Sequence, residues 1–198
     1  MGSTAARRLG DKTMRFQETK IAGVVLITPD RFDDERGYFA RTWGLDDFEA
    51  QGLTTRVVSR NVSYNRENGT LRGMHFQHPP YSEVKVVACL IGSVFDVAVD
   101  LRPDSPTFGE WYGAELTQGN GAILYVPEGC AHGYLSLVAD STVEYLISEF
   151  YHPEAAGGLR WDDPFCKIQW PAEPKFMNDR DRTWPDFIPD EVAGLTQT

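Results

Sequence analysis

The sequence predicts an all-β domain, a sandwich or barrel of many short strands with short peripheral helices. Three observations predict it. Apolar residues alternate over short stretches: Phe95, Val97, Val99 and Leu101 fall on one face, and Asp96, Ala98 and Asp100 on the other. Clusters of Gly, Pro, Asn and Asp separate these stretches at short intervals. Helical spacing appears only in brief segments. A chain of 198 residues has room for one ordinary hydrophobic core, so a single domain is expected.

Residues 1 to 13 are small, polar and charged and read as a leader or cloning remnant, with the domain running from 14 to 198. Strand segments are expected at 21 to 28, 36 to 43, 55 to 63, 84 to 91, 95 to 101, 109 to 117, 122 to 127, 133 to 138 and 142 to 151. The alternation at 95 to 101 reads as a half-buried strand. One helix is expected near Leu45 to Gln51, where Leu45, Phe48 and Leu53 make a small apolar stripe. After Pro171 the chain becomes Pro-rich and charged, with a short helix near Asp179 to Arg182 and an exposed tail from Pro189.

A net charge of -10 argues against nucleic-acid binding, which needs an excess of Lys and Arg to displace counterions. An anionic small molecule still fits where a few basic residues converge. The longest apolar run, Val86 to Ile91, is far too short for a membrane span or a signal peptide. Cys89, Cys130 and Cys166 form an odd set without metal-ligand spacing, which reads as reduced thiols in a cytoplasmic protein.

The stretch Gly121-Ala-Ile-Leu-Tyr-Val-Pro127-Glu-Gly129-Cys-Ala-His132 places Gly, Pro, Gly and His at the spacing of the second cupin motif. Physically it is a strand, a tight Pro/Gly turn and a returning strand that points His132 into a small barrel. The resemblance implies a cupin-type jelly-roll barrel. Gly69 and His75 match the first motif, but Gln77 stands where a metal-binding cupin has its second His, and Lys85 takes the place of the carboxylate ligand. A protonated ammonium cannot coordinate a cation, so no catalytic metal and no other cofactor is expected. Lys85 offers instead the positive charge that a developing enolate needs.

These residues lie in a longer series that includes Asp34-x-Arg36-Gly37-x-Phe39, Asn61-x-Ser63, Leu71-Arg72-Gly73-Met74-His75-Phe76-Gln77, Phe95 to Arg102, Ser105-Pro106-Thr107-Phe108-Gly109 and Pro127 to Gly133. Together they resemble the dTDP-4-dehydrorhamnose 3,5-epimerase family over roughly residues 14 to 185. The resemblance implies cofactor-independent epimerisation of a nucleotide-linked 4-keto-6-deoxyhexose. It implies His75 as base with Asp181 as its carboxylate partner, Lys85 and His132 as donors to the enolate oxygen, and Tyr145 as the acid on the opposite face. It further implies Arg36, Phe39, Asn61, Arg72 and Tyr151 as substrate-binding residues, with guanidinium forks on the diphosphate. Finally, it implies a homodimer whose sites are shared.

Ser59, Arg60, Arg41, Glu83 and Ala156 depart from that family's usual pattern, so GDP or CDP stands open beside dTDP, and inversion at C3 alone beside inversion at both carbons. Two readings of other classes also stand open. One is a non-catalytic cupin that binds a sugar nucleotide; the other is a metal-dependent cupin using His75, His78 and His132.

Overall fold

A computed structural model describes residues 13 to 189. In chain order the strands are β1 (Met14–Glu18), β2 (Val25–Pro29), β3 (Arg31–Asp34), β4 (Gly37–Ala40), β5 (Ser59–Asn65), β6 (Leu71–Gln77) and β7 (Lys85–Ile91). They continue with β8 (Ser93–Asp100), β9 (Trp111–Thr117), β10 (Ile123–Val126), β11 (Cys130–Ser136), β12 (Ser141–Ile147) and β13 (Ala156–Gly158). The helices are α1 (Leu45–Glu49) and α2 (Asp179–Arg182).

Two antiparallel sheets face each other in a jelly roll. The first has six strands in the order β1-β2-β10-β7-β12-β5, the second five in the order β13-β6-β11-β8-β9. β3 and β4 form a separate hairpin. Val87, Cys89, Leu124 and Val143 of the first sheet pack on Val94, Ala98, Leu116 and Tyr134 of the second. The outer face of the first sheet is covered by Phe48 of α1 with Trp43 and Leu53. The outer face of the second is covered by the C-terminal segment, through Leu159, Phe165, Cys166, Trp170 and Phe187.

This second cover explains where the sequence reading needs correction. β8 is not half-buried: Phe95, Val97 and Val99 pack beneath the C-terminal segment, while Asp96, Ala98 and Asp100 face the space between the sheets or its rim and are fully buried. The polar side of the strand is therefore the interior one. Asp100 accepts hydrogen bonds from Arg102, Ser105 and Thr107, which fixes the loop after β8. Burial opposes its ionisation, but these donors hold its carboxyl below the usual range. In α1 it is Phe48 that is buried and Leu45 that is exposed. β1, β3, β6 and β13 were not expected as strands, and the observed bounds of the others shift by a few residues. Residues 1 to 12 of the expected leader and the tail beyond 189 lie outside the described residues; Thr13 is buried. Cys89, Cys130 and Cys166 are buried free thiols, and burial pushes them up to about 11, about 12 and about 12.

β6 matters most for function, and its geometry depends on one glycine. His75 pairs with His132 and Arg72 pairs with Tyr134, with a register shift between them. Directly paired residues share a face, so both His75 and Arg72 turn inward although they are three positions apart. Gly73, at φ +126, lies in the shift; a Cβ there would stand 2.5 Å from the Gly133 Cα and 2.8 Å from the His132 carbonyl oxygen. Gly37 has a similar φ of +128 but open space around it. Gly73→Ala is therefore expected to lower unfolding stability by roughly 2 kcal/mol or more beyond the loss from Gly37→Ala, read from urea midpoints. Equal losses would contradict the steric account.

Candidate active site

The site opens at one end of the space between the sheets. On the second sheet, Gly158, His75, His132, Ala98 and Tyr112 form one row of register partners. On the first, Ser59, Ile147, Lys85 and Val126 form a row, and Asn61, Tyr145, Val87 and Leu124 form the next. His75 and Tyr145 thus belong to opposite walls. A cleft of about 290 Å³ is lined by His75, Phe76, Gln77, Glu83, Lys85, Ile147, Tyr151, Ala156, Gly157 and Arg180. A roomier hollow of about 650 Å³ beside β1 and α1 brings none of the candidate residues together.

Asp181 reaches His75 because the C-terminal segment is stitched alongside β6. Lys175 and Phe176 donate to the Gly69 carbonyl, and Leu71 donates to the Phe176 carbonyl at 2.8 Å. Asn178 then caps α2 by accepting from the Asp181 N–H at 2.7 Å. His75 Nε2 donates to Asp181 Oδ1 at 2.7 Å, and the Gly73 N–H donates to Asp181 Oδ2 at 3.1 Å. Burial penalises the Asp181 charge, yet His75, the Gly73 N–H and Asn178 together hold its carboxyl below the ordinary range. The His75 side chain is 42% exposed while Asp181 is 0% exposed. With Nε2 engaged, Nδ1 is the ring nitrogen left to act on a ligand.

Lys85 lies beside this pair. Its Nζ donates to the His75 carbonyl oxygen at 3.0 Å and pairs with Glu83 at 2.9 Å, leaving one of its three N–H groups for a ligand. His132, a register neighbour of His75, is buried and donates from Nε2 to Asp96 at 2.8 Å. Tyr145 is partly buried against the core between the sheets, packed on the cluster that contains Tyr134. Arg72 is held by Asn65 Oδ1 at 2.9 Å and the Tyr64 carbonyl at 3.1 Å, and Tyr134 donates to the same Asn65 oxygen at 3.2 Å. Asn61 is exposed on the Tyr145 row. Tyr151 is exposed at the cleft, where its hydroxyl accepts from Arg180 at 3.4 Å.

The structure therefore gathers His75, Asp181, Lys85, His132, Tyr145, Asn61, Arg72 and Tyr151 along one side of the interior and its mouth. Arg36 and Phe39 are not brought there within one chain: Arg36 sits at the tip of the β3–β4 hairpin, 84% exposed and paired with Asp34, in a separate groove with Phe39. His78 packs on Phe76 and lines hollows outside the His75 cleft, so His75, His78 and His132 do not converge. Arg180 was not expected in the site, and Glu83 was singled out only as a departure from the family pattern. Arg180 lies within the same Asn-Asp-Arg-Asp run as Asp181, which was the available signal. Among the departures from the family pattern, Glu83 and Ala156 line the cleft, whereas Arg60 pairs with Glu144 and Arg41 with Asp47.

Residues 18–188 match the family model described as dTDP-4-dehydrorhamnose 3,5-epimerase. The chain belongs to this family. The dTDP-4-dehydrorhamnose 3,5-epimerase of Sinorhizobium fredii (strain NBRC 101917 / NGR234) is 43% identical over 175 residues, 88% of this chain and 90% of the relative. A Mycobacterium tuberculosis epimerase structure superposes with a TM-score of 0.86 at 39% identity, covering 91% of this chain and 92% of that one. A Bacillus anthracis dTDP-4-dehydrorhamnose 3,5-epimerase, crystallised with TDP and PPi bound, gives 0.85 at 38% identity, covering 88% and 99%. The epimerase family thus accounts for the fold of nearly all the described chain.

The Asp181 carboxylate fixes a pH dependence. Its pKa is lowered on folding, so its stabilisation is complete above the ordinary Asp value of about 3.9 and is lost as pH falls through the lower folded value. Relative to Asp181→Asn, the native protein is expected to be more stable by roughly 2 kcal/mol near neutral pH, with the advantage shrinking in acid. Urea unfolding across that range measures it, and a difference independent of pH would contradict the assignment.

Proposed function

We propose that this chain epimerises a dTDP-linked 4-keto-6-deoxyhexose at C3 and C5, without a cofactor. The carrying observation is the His75–Asp181 pair on one wall with Tyr145 on the other and Lys85 between the sheets at the cleft. His75 Nδ1 removes a proton from a carbon next to the ketone. Asp181 fixes the imidazole and stabilises the imidazolium that forms. The charge moves to O4, where the remaining N–H of Lys85 stabilises it; His132, its Nε2–H committed to Asp96, would add a second donor from Nδ1 only in its imidazolium form. Tyr145 returns a proton from the opposite face, which inverts the carbon. Arg72, positioned by Asn65, binds the diphosphate, and Tyr151 and Asn61 contact the nucleotide side of the ligand.

Arg36 and Phe39 complete the site of a second copy through the projecting hairpin, which supports a homodimer with shared sites. A nucleotide-sugar substrate and buried reduced thiols support a cytoplasmic setting. Among the described residues no helix is long and apolar enough to cross a membrane.

In deuterated water the enzyme is expected to exchange both C3 and C5 protons of dTDP-4-keto-6-deoxyglucose, followed by NMR. His75→Ala should lower exchange by a factor of roughly 10² to 10⁴. Tyr145→Phe should preserve exchange relative to inversion, because abstraction survives when the opposite-face acid is lost. Exchange at C3 alone would leave the narrower reaction, and none at either carbon would reject the reading.

Shared sites have a separate signature. Inactive His75→Ala and Arg36→Ala preparations, mixed equally and allowed to exchange subunits, should regain about one quarter of native activity, because half the dimers carry one intact site. No recovery despite demonstrated subunit exchange would mean that Arg36 serves its own chain or none.

A further inference from the structure

Glu83 takes no part in the proton transfers above, yet it touches Lys85, the group that stabilises the charge they create. Its side chain is 7% exposed, and Oε1 lies 2.9 Å from Lys85 Nζ. Oε2 is buried without a hydrogen-bond partner. The residue lines the cleft with His75, Lys85, Tyr151 and Arg180. A role as counterion to Lys85 needs only one carboxylate oxygen. The second, taken out of water with nothing to accept from, is destabilising in the empty enzyme and would be relieved when the carboxylate turns toward a donor entering the cleft with the ligand.

The chemistry of the ligand identifies that donor. Lys85 has one N–H left after its bonds to Glu83 and the His75 carbonyl, and that N–H takes the ketone oxygen. Of the two carbons beside the ketone, C5 bears the ring oxygen and a methyl group, and C3 bears a hydroxyl. The C3 hydroxyl is thus the nearest donor to a carboxylate already bonded to the same ammonium.

We propose that Glu83 is a specificity-determining residue: its Oε2 accepts a hydrogen bond from the C3 hydroxyl of the bound ketosugar, so the cleft selects sugars hydroxylated beside the ketone over their 3-deoxy analogues. The inference rests on the epimerase reading and on Lys85 holding the ketone oxygen. Glu83 belongs to substrate selection, and through its other oxygen it also positions Lys85.

The test uses the C5 proton, which is next to the ketone whether or not C3 carries a hydroxyl. Rates of C5 deuterium exchange and calorimetric Kd values are measured for dTDP-4-keto-6-deoxyglucose and its 3-deoxy analogue. The native enzyme should prefer the hydroxylated sugar by roughly 10- to 100-fold, chiefly through KM and Kd. Glu83→Ala should bring the two sugars within about threefold, the hydroxylated one losing its extra affinity on top of whatever both lose through Lys85. Glu83→Gln, which keeps the shape, should shrink the preference in the same direction. A native enzyme without the preference, or variants that slow both sugars equally through kcat and leave the ratio intact, would overturn the proposal while leaving the epimerase reading in place. Absence of exchange at C3 and C5 in the native enzyme would overturn both. If C3 alone exchanges, the Kd ratio decides for or against Glu83.

Discussion

The 2.7 Å bond between His75 and Asp181 spans 106 residues and ties the last part of the domain to β6. Everything chemical in the cleft depends on it. The imidazole keeps one ring nitrogen for the ligand because the other is committed to a buried carboxylate. That carboxylate stays charged because the Gly73 N–H and the Asn178 side chain also donate to it. The C-terminal segment is therefore both the cover of the second sheet and the arm that orients the base. Damage to its packing on Met74, Val97 and Val99 would reach the chemistry through Asp181.

The interior of the jelly roll is divided along its length. Toward one side it is closed by Val87, Leu124, Val143 and Leu116, an apolar core of ordinary kind. Along the β5–β6 side and at the mouth, charged and polar groups point inward, each against a specific partner: Arg72 on Asn65, His132 on Asp96, Lys85 on Glu83. Arg72 is exposed, whereas for Lys85–Glu83 and His132–Asp96 pairing makes burial tolerable, since an isolated charge in that space would cost several kcal/mol. It also fixes rotamers, so the donors around an enolate oxygen are in place before the reaction begins. Of the buried side-chain polar atoms left without partners among the described residues, Glu83 Oε2 and Asp96 Oδ2 belong to two of these pairs, and the others are the indole N–H groups of Trp43 and Trp184.

The fold class was legible from alternation and turn residues because most strands present one apolar face to the core. β6 was not, and the reason is local. Arg72 and His75 both turn inward, Gly73 interrupts the period and Met74 faces out, so the pattern of two that marks a strand is absent from the strand that carries the base. The polarity of β8 was likewise invisible: nothing in Phe95 to Asp100 says that the apolar face will lie under a C-terminal cover and the acidic face inside. Asp181 was reached through family resemblance, since a pairing across half the chain leaves no periodic trace. Glu83 stood out in sequence as a departure, but only its burial and its unpartnered oxygen give it a role.

The central claim is that a base and an acid address one sugar ring from opposite walls. A crystal structure with a bound dTDP-4-keto-6-deoxy sugar tests it most directly. The account predicts His75 Nδ1 within about 3.5 Å of C3 or C5 on one ring face, the Tyr145 hydroxyl on the other, and Lys85 Nζ on the ketone oxygen. A ring bound outside this cleft, or one with the imidazole and the phenol on the same face, would contradict it.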